Sequence, residues 1–427
     1  MRLRQKLIAT ILFQLIGTLS TVLVSVVVAR RYGPTGQGFL SYYRSAVDLL
    51  ANIGLFGFPQ AFTFLINAKM VSVGWAVKFS NRYSVLFGAL LGIVAFITHV
   101  SGIAEKNGFN LIGVMSLAFA SLGMTLHGMY RAICLSTKSN YLFNIVSILP
   151  AAATLIIYLA WNTPDYNLLV LASVGASAVS VMFPMLLFRE HLSGKWNLEK
   201  DLAVSAAKYG FWSLVPSVTA SVTIVGTYTL LRQGGASEAT SGNFSISLLF
   251  LTAGIVPLNM VAPILFNDWA GERWKQGARH SYALLAHMGL MVSVAGLLLA
   301  FIFVGPLTET IFGNKFFESV ESTRVLLFGV FPFYQNRLLT PISLAIGNPY
   351  AVAISSLIRM TAVFVFLYFS SSLSLVSTAF GWVLGELFGM LFMCGVVARK
   401  TGWPIMEVAG VSPFWVFGKI KSIYKHT

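Results

Sequence analysis

The sequence predicts an all-α polytopic membrane protein. Of its 427 residues, 56% are apolar and only 10% are charged, whereas about a quarter of the residues in soluble domains are charged. The apolar residues form long unbroken runs, which favours helices over a β-barrel, because barrel strands are short and alternate in polarity. The composition, with 34 Phe, also excludes a water-soluble fold and intrinsic disorder.

Twelve stretches are long enough to cross a bilayer, which takes about 20 apolar residues per helix. The predicted spans are 7–29, 39–66, 83–100, 111–135, 141–161, 168–188, 211–231, 244–266, 282–303, 325–346, 350–369 and 375–397. The first stretch follows three basic residues, as in a signal peptide, but its apolar run is too long for a cleaved one. We therefore interpret it as the first span.

The distribution of Lys and Arg predicts the orientation. Nineteen of these residues fall on the side of the N-terminus and six fall in loops on the opposite side. Because cytoplasmic loops carry the excess of basic residues, both termini are predicted to be cytoplasmic. The net charge of +15 is thereby explained by the inner loops, and no nucleic-acid partner is expected.

The longest polar interruption, 189–208, has six spans on either side and predicts two lobes. The expected organisation is an N-terminal six-helix lobe (1–190), a cytoplasmic linker (191–208), a C-terminal six-helix lobe (209–397) and a cytoplasmic amphipathic tail (398–427). The tail carries Trp403 and Trp415 ahead of several lysines, which is typical of a segment on an anionic membrane surface. A disordered basic end is the alternative.

A weak internal repeat supports the two lobes. Tyr141 and Tyr350 open corresponding spans 209 residues apart, and the same lag brings the loop 31–38 onto 240–247. Since each half has an even number of spans, the repeats have the same orientation and are related by an axis along the membrane normal. Two such bundles around a central cleft would suit alternating access.

Four short motifs carry a resemblance to a known family. They are ARRYGPTGQGF at 29–39, GLFG at 54–57, IFGNKF at 311–316 and AIGN at 345–348. Their order resembles that of the polysaccharide-biosynthesis flippases of the multidrug/oligosaccharidyl-lipid/polysaccharide exporter superfamily. The resemblance implies a V-shaped exporter-type fold of twelve transmembrane helices.

The resemblance also implies a function. Such flippases move undecaprenyl-diphosphate-linked oligosaccharide repeat units across the bacterial inner membrane by alternating access, for O-antigen or other surface polysaccharide synthesis. The partners to expect are this lipid-linked oligosaccharide and membrane lipids, with polysaccharide polymerase and chain-length proteins as further candidates.

Ionisable residues inside the spans are the candidate site, because each costs about 3 kcal/mol on insertion and usually faces a cavity or a partner. The predicted substrate-binding residues of the central cleft are Arg44, Asp48, His127, Arg131, Arg337, Arg359 and Glu386. The sequence has neither a nucleotide-binding glycine loop nor a His/Glu spacing typical of a metal site. A transporter without catalytic residues, cofactor or metal is therefore expected.

Structural roles compete with a cleft role for several of these residues. Arg44 and Asp48 are four residues apart on one helix face and could form a local ion pair. His127 is expected to bond a neighbouring carbonyl rather than a ligand. Arg359 and Glu386 lie near the centres of adjacent antiparallel spans, so they either pair with each other or leave Arg359 facing the cleft.

Two other functions remain open. A cation-coupled multidrug exporter of the same superfamily would use a carboxylate in the first helices, where Asp48 is the only acid of the first two spans. A membrane-embedded glycan polymerase or ligase would typically carry a large periplasmic loop, and every predicted outer loop is short. The excess of Arg over acids inside the spans favours an anionic cargo.

Overall fold

The computed structural model describes residues 3–67, 69–102, 109–137, 140–161, 165–192, 200–269, 274–370 and 374–411. The α-helices in chain order are α1 (Leu3–Leu55), α2 (Phe58–Asn67), α3 (Val73–Val100), α4 (Leu111–Ser136), α5 (Asn140–Ala160), α6 (Tyr166–Leu187), α7 (Lys200–Gln233), α8 (Glu238–Trp269), α9 (Trp274–Phe312), α10 (Ser319–Phe328), α11 (Val330–Ala345), α12 (Pro349–Phe369), α13 (Leu375–Thr401) and α14 (Ile405–Val408). The described part of the chain contains no β-strand, which confirms the predicted all-α class.

The helices are consistent with twelve membrane crossings. Within the described residues, nine helical segments are long and apolar enough to span a bilayer. The first of them, Leu15–Leu55, contains parts of two predicted spans, 7–29 and 39–66, on either side of Gly33. The two remaining predicted spans, 244–266 and 325–346, fall in α8 and in the α10–α11 pair. The protein is therefore a multi-pass membrane protein.

Two predicted spans are interrupted in the structure. Residues 39–66 do not form one helix, because Phe56 (φ 44°) and Gly57 (φ 72°) separate α1 from α2. A Cβ on Gly57 would overlap the backbone of Gly210 in α7, so this break brings two distant chain segments into backbone contact. Residues 325–346 are likewise divided, at Gly329, whose amide donates to the Leu326 carbonyl at 2.8 Å.

Backbone contacts divide the chain into two compact units, Met1–Ser245 and Ile246–Thr427. In the first unit α4 packs against α1, α2, α3 and α6, and α7 packs against α1 and α2. Of the predicted linker 191–208, residues 193–199 lie outside the described residues and residues 200–208 form the start of α7. The division into two six-helix lobes stays a prediction.

The second unit is organised around α13, which packs against α10, α11, α12 and α14. The beginning of the predicted tail folds onto this unit: Trp403 is buried with its ring 5.7 Å from that of Tyr282, and Glu407 accepts two hydrogen bonds from Arg279 at 2.9 and 2.7 Å. Trp403 is thus a core residue and not a membrane-surface anchor. Residues 412–427 of the predicted tail lie outside the described residues.

A close backbone contact in the first unit joins segments of α1 and α8 that the sequence repeat relates to each other. Gly33 (φ 66°) bends α1 in a backbone region that favours glycine, and Pro34 follows it. A Cβ on Gly242 would overlap the Pro34 carbonyl, and a Cβ on Gly38 would overlap the Glu238 carbonyl. Gln37 Nε2 donates to Ser245 Oγ at 3.2 Å beside this contact. Only glycine allows α1 and α8 to approach so closely.

Replacing Gly242 with Ala is expected to destabilise the fold by about 1–3 kcal/mol, because the added methyl group overpacks a backbone contact. The thermal midpoint of the detergent-purified protein would measure the effect. Gly296→Ala is the matched control, since Gly296 is a helical glycine in α9 with nothing within 4 Å of its added Cβ; it should be neutral or slightly stabilising. Equal midpoints for both variants would refute the close approach.

Candidate functional site

Glu386 is a buried carboxylate at the centre of a polar cluster in the second unit. It lies near the middle of α13 with only 7% of its surface exposed. Arg359 of α12 donates from Nη1 to both carboxylate oxygens at 3.1 Å, and Asn336 of α11 donates from Nδ2 to Oε2 at 2.7 Å. Three helices therefore meet at one acid, and of the two arrangements that the sequence left open the structure has the pairing of Arg359 with Glu386.

Glycines on α13 make room for this pairing. A Cβ on Gly389 would press into the Cγ and Cδ of Arg359, and a Cβ on Gly385 would lie 2.9 Å from the Arg359 carbonyl. Ser355, one turn before Arg359, donates to the Gly389 carbonyl at 3.2 Å. The sequence around Glu386, with glycines at 385 and 389, thus lets α12 approach closely enough for the arginine to lie flat on α13.

Arg337 is an exposed residue beside the cluster of Glu386, Arg359 and Asn336. Its guanidinium lies 5.4 Å from the centroid of the Phe333 ring one turn earlier on α11, a cation–π arrangement. It is close enough to Arg359 and Glu386 for electrostatic interaction with both. Since Glu386 neutralises one of the two arginines, the cluster has a net positive charge, and Arg337 is the exposed residue of the three.

Asn336 was missed by sequence analysis. It is buried, and besides the carboxylate its amide donates to the Glu386 backbone carbonyl at 2.8 Å. The signal that could have found it is the run Gln335-Asn336-Arg337, three consecutive polar residues inside an otherwise apolar stretch. Gln335 is also buried and donates to the Ala286 carbonyl of α9 at 3.1 Å.

In the first unit, Arg44 and Asp48 share a face of α1 but form no ion pair within 4.0 Å, as far as the described side chains show. Arg44 is half-buried and lies close to Tyr158 of α5, whose hydroxyl donates to the Leu169 carbonyl at 2.9 Å, whereas Asp48 is exposed. The local ion pair that the spacing allowed is therefore not formed among the described side chains. Asp48 still interacts electrostatically with Arg44.

His127 and Arg131 of α4 have different surroundings. His127 is 5% exposed, and its Nδ1 lies 3.2 Å from the Ser180 carbonyl of α6. A carbonyl only accepts, so the Nδ1–H donates and ties α4 to α6, as expected for a structural histidine. Arg131 is exposed, with its guanidinium 5.0 Å from the centroid of the Phe143 ring.

The structure thus brings together Arg337, Arg359 and Glu386, and in the first unit it places His127 at a different height from Arg44. Gly128, next to His127, faces Leu55 of α1, and Leu55 lies about three helical turns beyond Arg44. The described residues contain no cluster of three or more His, Cys, Asp or Glu that could hold a metal ion. Cys134 and Cys394 are free and buried.

Comparison with known proteins identifies the fold of the chain. No family profile and no curated protein matches the sequence. The structure is similar to an inward-facing multidrug resistance MATE family transporter of the MOP superfamily, with a TM-score of 0.70 and 13% identity over 90% of this chain and 96% of that one. An outward-facing MATE transporter gives 0.64 and 13% identity over 93% and 96%.

A third similar structure is a MOP superfamily transporter from Pyrococcus furiosus, in which reverse polarity of the binding pocket suggests a different function. It gives a TM-score of 0.67 and 14% identity over 92% of this chain and 96% of that one. These similarities extend over nearly the whole of each chain. The chain therefore has the fold of MATE-type transporters of the MOP superfamily.

Proposed function

We propose that this protein is an alternating-access transporter of an anionic, lipid-linked cargo, namely undecaprenyl-diphosphate-linked oligosaccharide repeat units. The proposal combines the transporter fold, which similar structures adopt in inward-facing and outward-facing forms, with the flippase resemblance of the sequence motifs. Movement of the cargo from the cytoplasmic to the outer leaflet of the inner membrane follows from the predicted orientation and that resemblance.

The observation that carries the proposal is the charge balance inside the spans. Glu386 is engaged by Arg359 and Asn336, so it does not neutralise Arg337 as well. An exposed arginine facing lipid would cost several kcal/mol, which favours a hydrated cavity as its surroundings. Guanidinium groups bind phosphate oxygens through two parallel hydrogen bonds, and Arg337 is the group best suited to contact the diphosphate.

A multidrug exporter is the second candidate. It is favoured by the MATE transporters of similar structure, two of which are described as multidrug resistance transporters, and by Asp48, an exposed acid in α1 that could bind a cation. The reversed pocket polarity of the Pyrococcus furiosus transporter indicates that this fold also accommodates other functions. The charge excess of the present chain argues against cationic drugs.

Reconstituted vesicles distinguish the two cargoes. The protein should move a fluorescent undecaprenyl-diphosphate oligosaccharide between leaflets, measured as the fraction of label that becomes accessible to a membrane-impermeant quencher, and should not accumulate a cationic dye under an imposed pH or Na⁺ gradient. Protein-free vesicles and vesicles with denatured protein are the controls. Dye accumulation without movement of the lipid would replace the proposal with the exporter function.

Arg337→Ala should lower the transport rate about 10–100-fold, because a hydrogen bond to a charged group contributes roughly 1.5–3 kcal/mol. Arg337→Lys should retain part of the rate, since the charge remains while the fork geometry is lost. Arg399→Ala, at an exposed basic position near the end of α13, is the matched control and should transport normally. Transport rates would be normalised to folded protein from size-exclusion chromatography.

Two results would contradict the assignment of Arg337. Full transport by the alanine variant would remove Arg337 from the site. Equal loss of folded protein in the alanine and lysine variants would show that the residue has a structural role instead.

A further inference from the structure

A cavity of about 420 Å³ lies in the first unit, and none of the candidate site residues lines it. It is bounded by the beginning of α3, the second half of α4 and the end of α6 together with the residues that follow it. The lining residues are Lys78, Asn81, Arg82, Ser84, Val85, Leu122, Leu126, Met185 and Leu192. Cavities of this size accommodate small ligands or parts of larger ones.

The polar end of the cavity is basic. Lys78 and Arg82 are four residues apart and so share a face of α3, with Asn81 beside them. Asn81 donates from Nδ2 to the Tyr130 hydroxyl at 2.9 Å and to the Val77 carbonyl at 3.0 Å, which fixes its amide. The described lining residues include no carboxylate. This end of the cavity therefore offers two basic side chains that an anion could contact.

The remainder of the cavity is apolar. Val85 continues the same face of α3 one turn past the basic pair, and Leu122 and Leu126 lie opposite on α4. Ser84 also lines the cavity; it is 2% exposed, and its Oγ has no hydrogen-bond partner in the described part of the chain. An occupant thus needs an anionic head, an apolar chain and an oxygen or donor group between them.

We propose that this cavity binds an anionic phospholipid, with its phosphate between Lys78 and Arg82 and the start of one acyl chain along Val85, Leu122 and Leu126. The two basic residues belong to the end of α3 that the Lys and Arg distribution predicts to be cytoplasmic. The cytoplasmic leaflet is anionic, and each basic residue near its surface contributes to lipid binding. A free phosphate would leave the apolar wall unfilled, and a zwitterionic lipid carries a cationic group that the two basic side chains would repel. The site does not depend on the identity of the transported cargo.

Native mass spectrometry of the purified full-length protein tests the site with lipids of identical dioleoyl chains. The wild type should bind phosphatidylglycerol in preference to phosphatidylethanolamine. The double variant Lys78→Gln/Arg82→Gln should bind phosphatidylglycerol about tenfold more weakly and lose this preference. The matched control, Arg399→Gln/Lys400→Gln, removes two exposed basic residues from the end of α13, on the same predicted side of the membrane, and should keep it.

A second variant tests the apolar part of the cavity. Leu122→Phe should fill it and weaken the binding of both lipids while leaving the size-exclusion profile unchanged. If the double variant does not fold, Arg82→Gln replaces it, because the Arg82 side chain is exposed, and a severalfold loss of phosphatidylglycerol binding is then expected.

Three results would overturn the proposal. The first is equal binding of the two lipids by the wild type. The second is an equal loss of preference in the double variant and in its control. The third is displacement of phosphatidylglycerol by inorganic phosphate or by undecaprenyl phosphate at lower concentrations, which would assign the cavity to a free anion or to the carrier lipid.

Discussion

The hydrogen-bonded carboxylate of Glu386 is the constraint around which the second unit is arranged. An unpaired acid inside a membrane span costs several kcal/mol, and this one is satisfied by Arg359 from α12 and Asn336 from α11. The ion pair fixes the depth at which the three helices meet. It also engages Glu386, the one acid that the described residues contribute to the cluster. Glu386 therefore does not offset the positive charge of the neighbouring Arg337. We propose that Arg337 binds a group outside the helix bundle, the diphosphate of the cargo.

Glycine allows close helix contacts at several places. Such contacts matter because helices in lipid are held together by close packing and internal hydrogen bonds and not by a hydrophobic driving force. Gly389 allows Arg359 to lie across α13, and Gly242 allows α8 to touch the bend of α1 at Pro34. The second contact joins loops that the 209-residue repeat relates to each other. Helices therefore approach each other closely at the buried charge and at the two segments that the sequence repeat relates.

Sequence analysis predicted what depends on composition and spacing. Long apolar runs indicated the spans, and the central positions of Arg359 and Glu386 on adjacent antiparallel spans made their pairing one of two alternatives. The breaks at Gly57 and Gly329 could not be predicted, because hydropathy does not register a local backbone change that is determined by distant contacts such as that of Gly57 with Gly210. The spacing of Arg44 and Asp48 allowed a local ion pair, yet the described side chains form none, and Arg44 lies close to Tyr158 of a helix more than a hundred residues away in sequence.

A double-mutant cycle on Arg359 and Glu386, with stability from equilibrium detergent unfolding and transport from the reconstituted protein, tests the central claim most directly. If the pair is structural, Glu386→Leu and Arg359→Leu should each cost about 3–5 kcal/mol, whereas the double variant should cost far less than their sum because no unpaired charge remains buried. The double variant should also keep transport, since Arg337 is untouched. Additive costs, or a stable double variant that cannot transport, would contradict the account.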